Sequence, residues 1–496
     1  MRKIKVLFFT VLTTALLNAQ IGIGTNTVTP DKSSILDIQS TTKGLLAPRM
    51  TTVQRNAIAS PAESLLVYDT DLKMFYTYSG GVWRALGSSG SANRLNYKLI
   101  KSTDNLATVL ATELSAGGGI KYRLSSNTLY EINGTVTLDK PIDLNSAYIQ
   151  GVDSGDDKLV SAGNIFDGNT GGSIKGLTLQ STGGKIFNLI GNATQNLIFR
   201  DCIVTSSANV GTISTFGMVF ISVVQFTNNT TGIIYKDISQ LLISNAGWFG
   251  DNKGTFEKFE GTFKLIQKQG GFSDVNGAAI GFDVSSDPII SGDAVLESVV
   301  FTGILTTGKY VNRYSNGSYS NFNFTNTWNV RNPGIPTETD SNAFGALGAN
   351  YGYGQGYPFS WPGGNTGTDS KVKLAANSSS AQVDLLRFET DNKSKLTYKG
   401  KKERNFELSG SMSYQAAYAG TYRAYLTLNG TIIPNSEFFG KASAINDIVV
   451  FPLNGFTKMK NNDYIEVYIE RYSYTPVTGG TNPGTNLIPN LTLIVK

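Results

Sequence analysis

The chain has 496 residues, long enough for two or three domains. It contains no histidine, which removes Ser–His and Cys–His catalysis and histidine-ligated zinc together. Carboxylates, Lys, Arg and Tyr remain as candidates for chemistry, sugar cleavage included. Charged residues make up 16% of the chain. The formal charge of +5 falls to +2 once the three basic residues near the N-terminus are set aside, a balance that gives no support to nucleic-acid binding.

Residues 1–19 read as a secretion signal. Arg2, Lys3 and Lys5 precede an apolar core from Val6 to Leu17, and Ala19 is the small residue before the cut. The apolar run is too short to span a bilayer comfortably, and no transmembrane segment is expected after cleavage. The mature chain is expected to begin at Gln20.

Residues 20–86 read as a small β unit. Its strings are Ile21-Gly22-Ile23-Gly24-Thr25, Lys43-Gly44-Leu45-Leu46-Ala47-Pro48-Arg49-Met50-Thr51, Gln54-Arg55-Asn56-Ala57-Ile58 and Leu66-Val67-Tyr68-Asp69-Thr70. Phe75-Tyr76-Thr77-Tyr78 and Val82-Trp83-Arg84, joined through Ser79-Gly80-Gly81, form a hairpin pattern. These strings resemble the N-terminal module of secreted surface and tail-fibre-like proteins of Gram-negative bacteria. The resemblance implies an attachment or assembly module on the cell surface. A Gly/Ser linker follows at 87–92.

The central third carries a spacing, apolar-x-apolar-x-x-apolar-x-apolar, that recurs about every 22 residues. It fits Ala147/Ile149/Val152/Ser154, Gly172/Ile174/Leu177/Leu179, Leu197/Phe199/Cys202/Val204, Val219/Ile221/Val224/Phe226 and Leu241/Ile243/Ala246/Trp248. It returns at Ala294/Leu296/Val299/Phe301 and Gly317/Tyr319/Phe322/Phe324. A period of two keeps side chains on one face of a strand, and the three-residue step flips that parity. Two short strands meeting at a bend, both pointing inward, satisfy the pattern. Repetition means that each copy buries its apolar face on the next. Residues 93–330 are therefore expected to form a right-handed parallel β-helix, with the segment 93–143 capping its first turn. The copy at Phe263/Leu265/Lys268/Gly270 fits only in its first half, and a lateral loop around Gly270–Asp287 is expected to absorb the extra length.

Residues 331–369, rich in Gly, Asn, Thr, Pro and Tyr, read as a linker whose Tyr351, Tyr353, Tyr357, Phe359 and Trp361 pack over neighbouring β-structure, the alternative being an exposed surface on which Tyr and Trp stack on sugar rings. In residues 370–496, Tyr422, Ala424, Leu426 and Leu428 alternate into the hairpin signal Asn429-Gly430. Further on, Ile465, Val467 and Ile469 oppose Glu466 and Glu470. By itself the alternation implies an antiparallel sandwich. The strings Phe406–Ser411, Tyr422–Gly430 and Asn462–Val467 resemble the jelly-roll heads of the complement C1q/tumour-necrosis-factor type. That resemblance implies a trimer that recognises partners through exposed loops.

Asp153, Asp156 and Asp157 beside Gly155 suit a turn better than calcium, which needs six to eight oxygens. Arg200-Asp201 and Asp251-Asn252-Lys253 could form an acid–cation groove but read as solvated surface. Gly117-Gly118-Gly119 and Gly183-Gly184 lack the strand–loop–helix context of a phosphate site. Cys202 falls at an inward position, where a thiol acts as a small apolar residue. No catalytic, metal or cofactor residue is assigned and no cofactor is expected. The expected function is that of a secreted, cell-surface fibre or adhesin, homotrimeric, with a head that binds glycan or protein. The alternative is a β-helix polysaccharide lyase or glycoside hydrolase.

Overall fold

The computed structural model describes residues 20–24, 29–86, 96–352, 354–362, 370–376, 382–391, 393–474 and 484–496. The expected signal at 1–19, the linker at 87–92 and Tyr353 lie outside the described residues. The chain divides into two compact units, residues 1–95 and 96–496. Among the described residues no helix is long and apolar enough to cross a membrane.

In the first unit, strands Ile21–Gly24 and Leu36–Gln39 pair in parallel as an isolated two-stranded sheet. A second sheet orders Arg49–Met50, Leu66–Asp69, Met74–Ser79 and Val82–Ala85, the last three as consecutive antiparallel neighbours, as the hairpin pattern requires. The helix Thr52–Asn56 starts in a capping box, in which Thr51 and Gln54 satisfy each other's amides. It carries Arg55 into the sheet, 3.2 Å from Asp69 and with its guanidinium 3.8 Å from the Tyr76 ring centroid.

The second unit begins as a parallel β-helix of about eight turns. One wall holds fourteen strands and the other nine, and every pairing is parallel. The recurrent spacing is visible directly in the register. Leu197, Phe199, Cys202 and Val204 lie beside Val219, Ile221, Val224 and Phe226, and these lie beside Leu241, Ile243, Ala246 and Trp248. All twelve are buried.

At six successive corners the parity flip has one cause, a residue in the left-handed region. Gly176, Asp201, Val223, Asn245, Gly270 and Ser298 occupy this place with φ between +51° and +69°. Only glycine, and to a lesser degree Asn or Asp, adopts that conformation cheaply. Inside, rings stack from turn to turn: Phe226 on Trp248 at 4.0 Å, Trp248 on Phe256 at 5.2 Å, Phe166 on Phe187 at 5.8 Å. At the next corner a polar ladder closes the backbone. Ser181 N donates to Ser207 Oγ, Ser207 N to Asn229 Oδ1, and Asn229 N to Asn252 Oδ1. The side-chain amides of Asn229 and Asn252 then donate to the carbonyls of Val204 and Phe226.

Four expectations are corrected. In the first copy Val152 is 79% exposed, because residues 151–157 bulge out and Leu159 and Ser161 take the inward places beside Leu179 and Ser181. The irregular copy is Ile266/Lys268/Gly271/Ser273, not Phe263/Leu265/Lys268/Gly270, since these residues pair with Leu241, Ile243, Ala246 and Trp248. No lateral loop follows it. The extra length lies between Asp283 and Ala294, where Ile289 and Ile290 pair with Thr262 and Phe263 ahead of a register shift, while Ile280–Asp283 pairs normally with the turns on either side. The last copy is Trp328/Val330, beside Ala294 and Leu296; the expected Gly317/Tyr319/Phe322/Phe324 lies in a loop that folds Tyr314 and Phe324 into the core. Two short helices, Leu106–Val109 and Ala111–Ala116, which the sequence pattern did not signal, bury Leu106 and Leu110 against the first turns.

The segment 331–369 is also more than a linker. Its strands Phe344–Asn350 and Tyr357–Phe359 pair with Asn486–Val495 in the C-terminal sandwich. Take the main strands in order as Phe344–Asn350, Lys395–Tyr398, Arg404–Gln415, Gly420–Leu428, Phe438–Ala442, Ile448–Met459, Tyr464–Tyr474 and Asn486–Val495. One sheet then runs 1-8-3-6 and the other 2-7-4-5. That is the order of a jelly roll.

Lys268 stands where neighbouring turns place Ile243 and Leu296, and it is 1% exposed. Its ammonium lies 2.8 Å from Glu257, equally buried on the opposite wall. Replacing Lys268 by Met alone leaves a buried carboxylate without a counterion and is expected to cost about 3–5 kcal/mol in chemical denaturation. The double variant Lys268→Met/Glu257→Leu is expected to recover most of that loss. At the corner, Val223 is a β-branched residue at φ +54° and half exposed. Val223→Asn is expected to raise unfolding stability by about 1 kcal/mol, read from the denaturation midpoint.

Candidate functional site

The acidic clusters of the shaft are structural. Asp157 accepts the amides of Gly134, Val152 and Asp153, which hold the outward bulge. Burial opposes ionisation there, but these amides outweigh it and hold the carboxyl below its ordinary value. Asp251 accepts Thr227 Oγ1 and Asn228 N across one turn, and Asn252 belongs to the interior ladder. Asp201 is the left-handed corner residue, 4.0 Å from Arg200 and open to solvent. Gly118 and Gly119, at φ +69° and +76°, end the second short helix, and Gly184 N caps onto Ser181 Oγ. Cys202 is buried beside Val224, and burial pushes its thiol up to about 12. Trp361 packs at 3% exposure against Phe359 and Tyr422, as the linker reading had it.

Where the shaft meets the sandwich, Arg387 is 1% exposed at φ +61°. Its Nη1 donates to Thr325 O and Asn326 Oδ1, and its Nη2 to the carbonyls of Trp328 and Glu338. Nε faces Asp340 at 3.3 Å. One head side chain thus fastens the last turn of the shaft. Glu338 completes the joint: its backbone pairs with Val330, and its buried carboxylate accepts the amides of Asn323 and Phe324.

Burial is the main influence on Glu338 and lifts it to about 7, against the lowering effect of those amides and of Arg387. A carboxyl raised in the folded state stabilises most below its ordinary value of 4.5, and that contribution is lost as pH climbs through 7. Thermal unfolding is therefore expected to be higher at pH 5 than at pH 8, by about 3 kcal/mol at most, and Glu338→Gln is expected to flatten the difference.

On the outer face of the second sandwich sheet the sequence builds a pocket of about 350 Å³, lined by Ser370, Lys371, Arg423, Tyr425, Thr427, Gly430, Ile432, Tyr468 and Glu470. Alternation explains it. Tyr422, Ala424 and Leu426 point into the core, as do Ile465, Val467 and Ile469, so Arg423, Tyr425, Thr427, Glu466, Tyr468 and Glu470 face outward. Register then places Arg423 beside Glu470 and Tyr425 beside Tyr468. Lys371, from the edge strand Lys371–Lys373, lies on the other side of Glu470.

The two tyrosine rings are parallel, 5.7 Å apart. Arg423 grips Glu470 through Nε and Nη2 at 2.9 and 2.7 Å, and Glu437 through Nη1 at 2.7 Å. Its guanidinium lies 5.2 Å from the Tyr425 ring centroid. Burial pushes Tyr425 up to about 12, with Glu470 adding to it, so this hydroxyl stays protonated at neutral pH. Thr427 is 2% exposed and its Oγ1 has no hydrogen-bond partner. Lys371 is exposed and has no ion-pair partner among the described residues. Sequence reasoning quoted most of these residues but not their meeting; the signal available was two outward tyrosines on strands otherwise filled by charge.

Residues 22–98 match a family described as the phage tail like trimerisation region. No curated protein matches the chain. Three solved structures match at 9% identity each. The enzymatically active domain of tailspike protein 4 of bacteriophage CBA120 has a TM-score of 0.21, covering 91% of this chain and 77% of its own. The tailspike of Acinetobacter phage vB_ApiP_P1 scores 0.26, covering 86% and 100%. WceF of Pantoea stewartii, described as a glycan biofilm modifying enzyme with a tailspike-like parallel β-helix, scores 0.28, covering 90% and 70%. At such scores the strand pairing of this chain, not the likeness, carries the fold assignment.

Proposed function

We propose that the chain is a secreted, cell-surface fibre protein that works as a homotrimer, with residues 20–86 joining the copies, the β-helix as a stiff shaft, and the sandwich as a head that recognises glycan. The observation that carries this reading is the distribution of apolar surface in the first unit. Thirteen of the twenty-nine large apolar side chains exposed among the described residues fall between Ile21 and Leu86, and Val67 is the one buried hydrophobic residue there. A unit so poor in core, with one sheet of only two strands, is at best marginal alone. Other copies of the chain supply the missing cover, and the match to a trimerisation region supports the number three.

The shaft agrees. Its outward column Tyr148, Ser173, Ile198, Phe220, Leu242, Gln267 and Val295 is apolar at five of its seven places, whereas the other wall presents Asp167, Asn188, Thr212, Ile234 and Lys258. A lateral neighbour of the same kind fits the apolar ridge. Eight turns at about 4.8 Å each give a rod of roughly 40 Å. Three linked heads raise avidity by about 10²–10⁴ over one when they engage together.

The mature protein is expected to sediment as a trimer, and Leu45→Asp/Leu46→Asp to dissociate it. A wild-type monomer at micromolar concentration ends the reading. The glycan-cleaving alternative requires release of reducing or unsaturated ends from a polysaccharide panel, lost in Asp201→Asn; the fibre reading expects binding without release.

A further inference from the structure

We infer that the outer pocket of the sandwich holds one anionic saccharide unit, a ring bearing a carboxylate, as part of a longer glycan; this rests on the glycan-recognising role given to the head above. Size sets the first limit. A pocket of about 350 Å³ lies at the small end of ligand sites, which span about 300–1,000 Å³, and suits a single sugar ring better than a peptide segment.

Its chemistry sets the second. The partly exposed Tyr468 ring, braced flat against Tyr425, offers an apolar face to the C–H side of a pyranose. Around it stand groups that suit hydroxyls: Glu470 as acceptor, Arg423 as donor, and Thr427 Oγ1 as both. The Thr427 hydroxyl is the decisive one. A buried hydroxyl without a partner costs stability, and a ligand hydroxyl entering the pocket satisfies it.

Charge sets the third. Arg423 is neutralised by Glu470 and Glu437, whereas Lys371 at the rim has no carboxylate of its own. The Lys371 ammonium is therefore the one cation of the lining not held in an ion pair among the described residues, and a sugar carboxylate matches it.

The test uses the intact mature protein and immobilised oligosaccharides, one set containing glucuronate or galacturonate and one set of neutral hexoses. Binding is expected to the acidic set, with Lys371→Ala and Thr427→Val each weakening it about tenfold. Lys371→Ala is further expected to erase the preference over the neutral set. Lys458→Ala on the other sheet serves as the control, and unchanged thermal unfolding shows that each variant is folded. Acidic glycan binding that is indifferent to both pocket variants overturns the site but leaves the head's role intact. Equal binding to neutral glycans overturns the anionic assignment. Binding to neither set, or only to protein, overturns both the site and the glycan reading of the head.

Discussion

The whole shaft depends on the left-handed corner. A strand that alternates with period two cannot keep an apolar face turned inward round a bend unless its parity changes there. One residue at positive φ makes the change at six successive corners. Every other regularity follows from it. The inward columns line up, so rings stack from turn to turn. The outward columns line up too, so chemistry placed in one turn is repeated beside it at the next. Val223 shows the strength of the constraint, since the stacking of its neighbours holds even a β-branched residue in a conformation that it resists.

Where the lumen departs from apolar filling, it does so in a closed pair. Lys268 and Glu257 reach across from opposite walls in the turn where the spacing, 22 residues in the two preceding turns, lengthens to 25 between Leu241 and Ile266. A slipped turn would bury either charge alone. The pair thus adds little net stability but makes misregistered stacking costly. Tyr235, whose hydroxyl is raised by burial and by the Glu257 charge, lines the same chamber as an un-ionised phenol.

The legibility of these features from sequence follows their range. The regular turns from Gly172 to Trp248 and the outward positions of Glu466 and Glu470 could be read because strand parity is a local property. The register of Lys268, the identity of Trp328/Val330 as the last turn, and the bulge that expels Val152 depend on where extra residues are accommodated, and spacing alone does not say. The pocket was hidden for a stronger reason. Arg423 and Lys371 flank Glu470 only because strands about 45 and 100 residues apart become neighbours. The role of Arg387 was equally unreadable, since all its partners lie in the shaft's closing segment.

The corner also bears on evolution of reach. Because one turn offers its successor the same four inward positions, the same bend and the same ladder residue, an internal duplication of a segment such as 197–218 adds a whole storey without disturbing either end. The β-helix can therefore lengthen in discrete steps of about 4.8 Å by unequal recombination, while the segments before and after it in the sequence stay as they are.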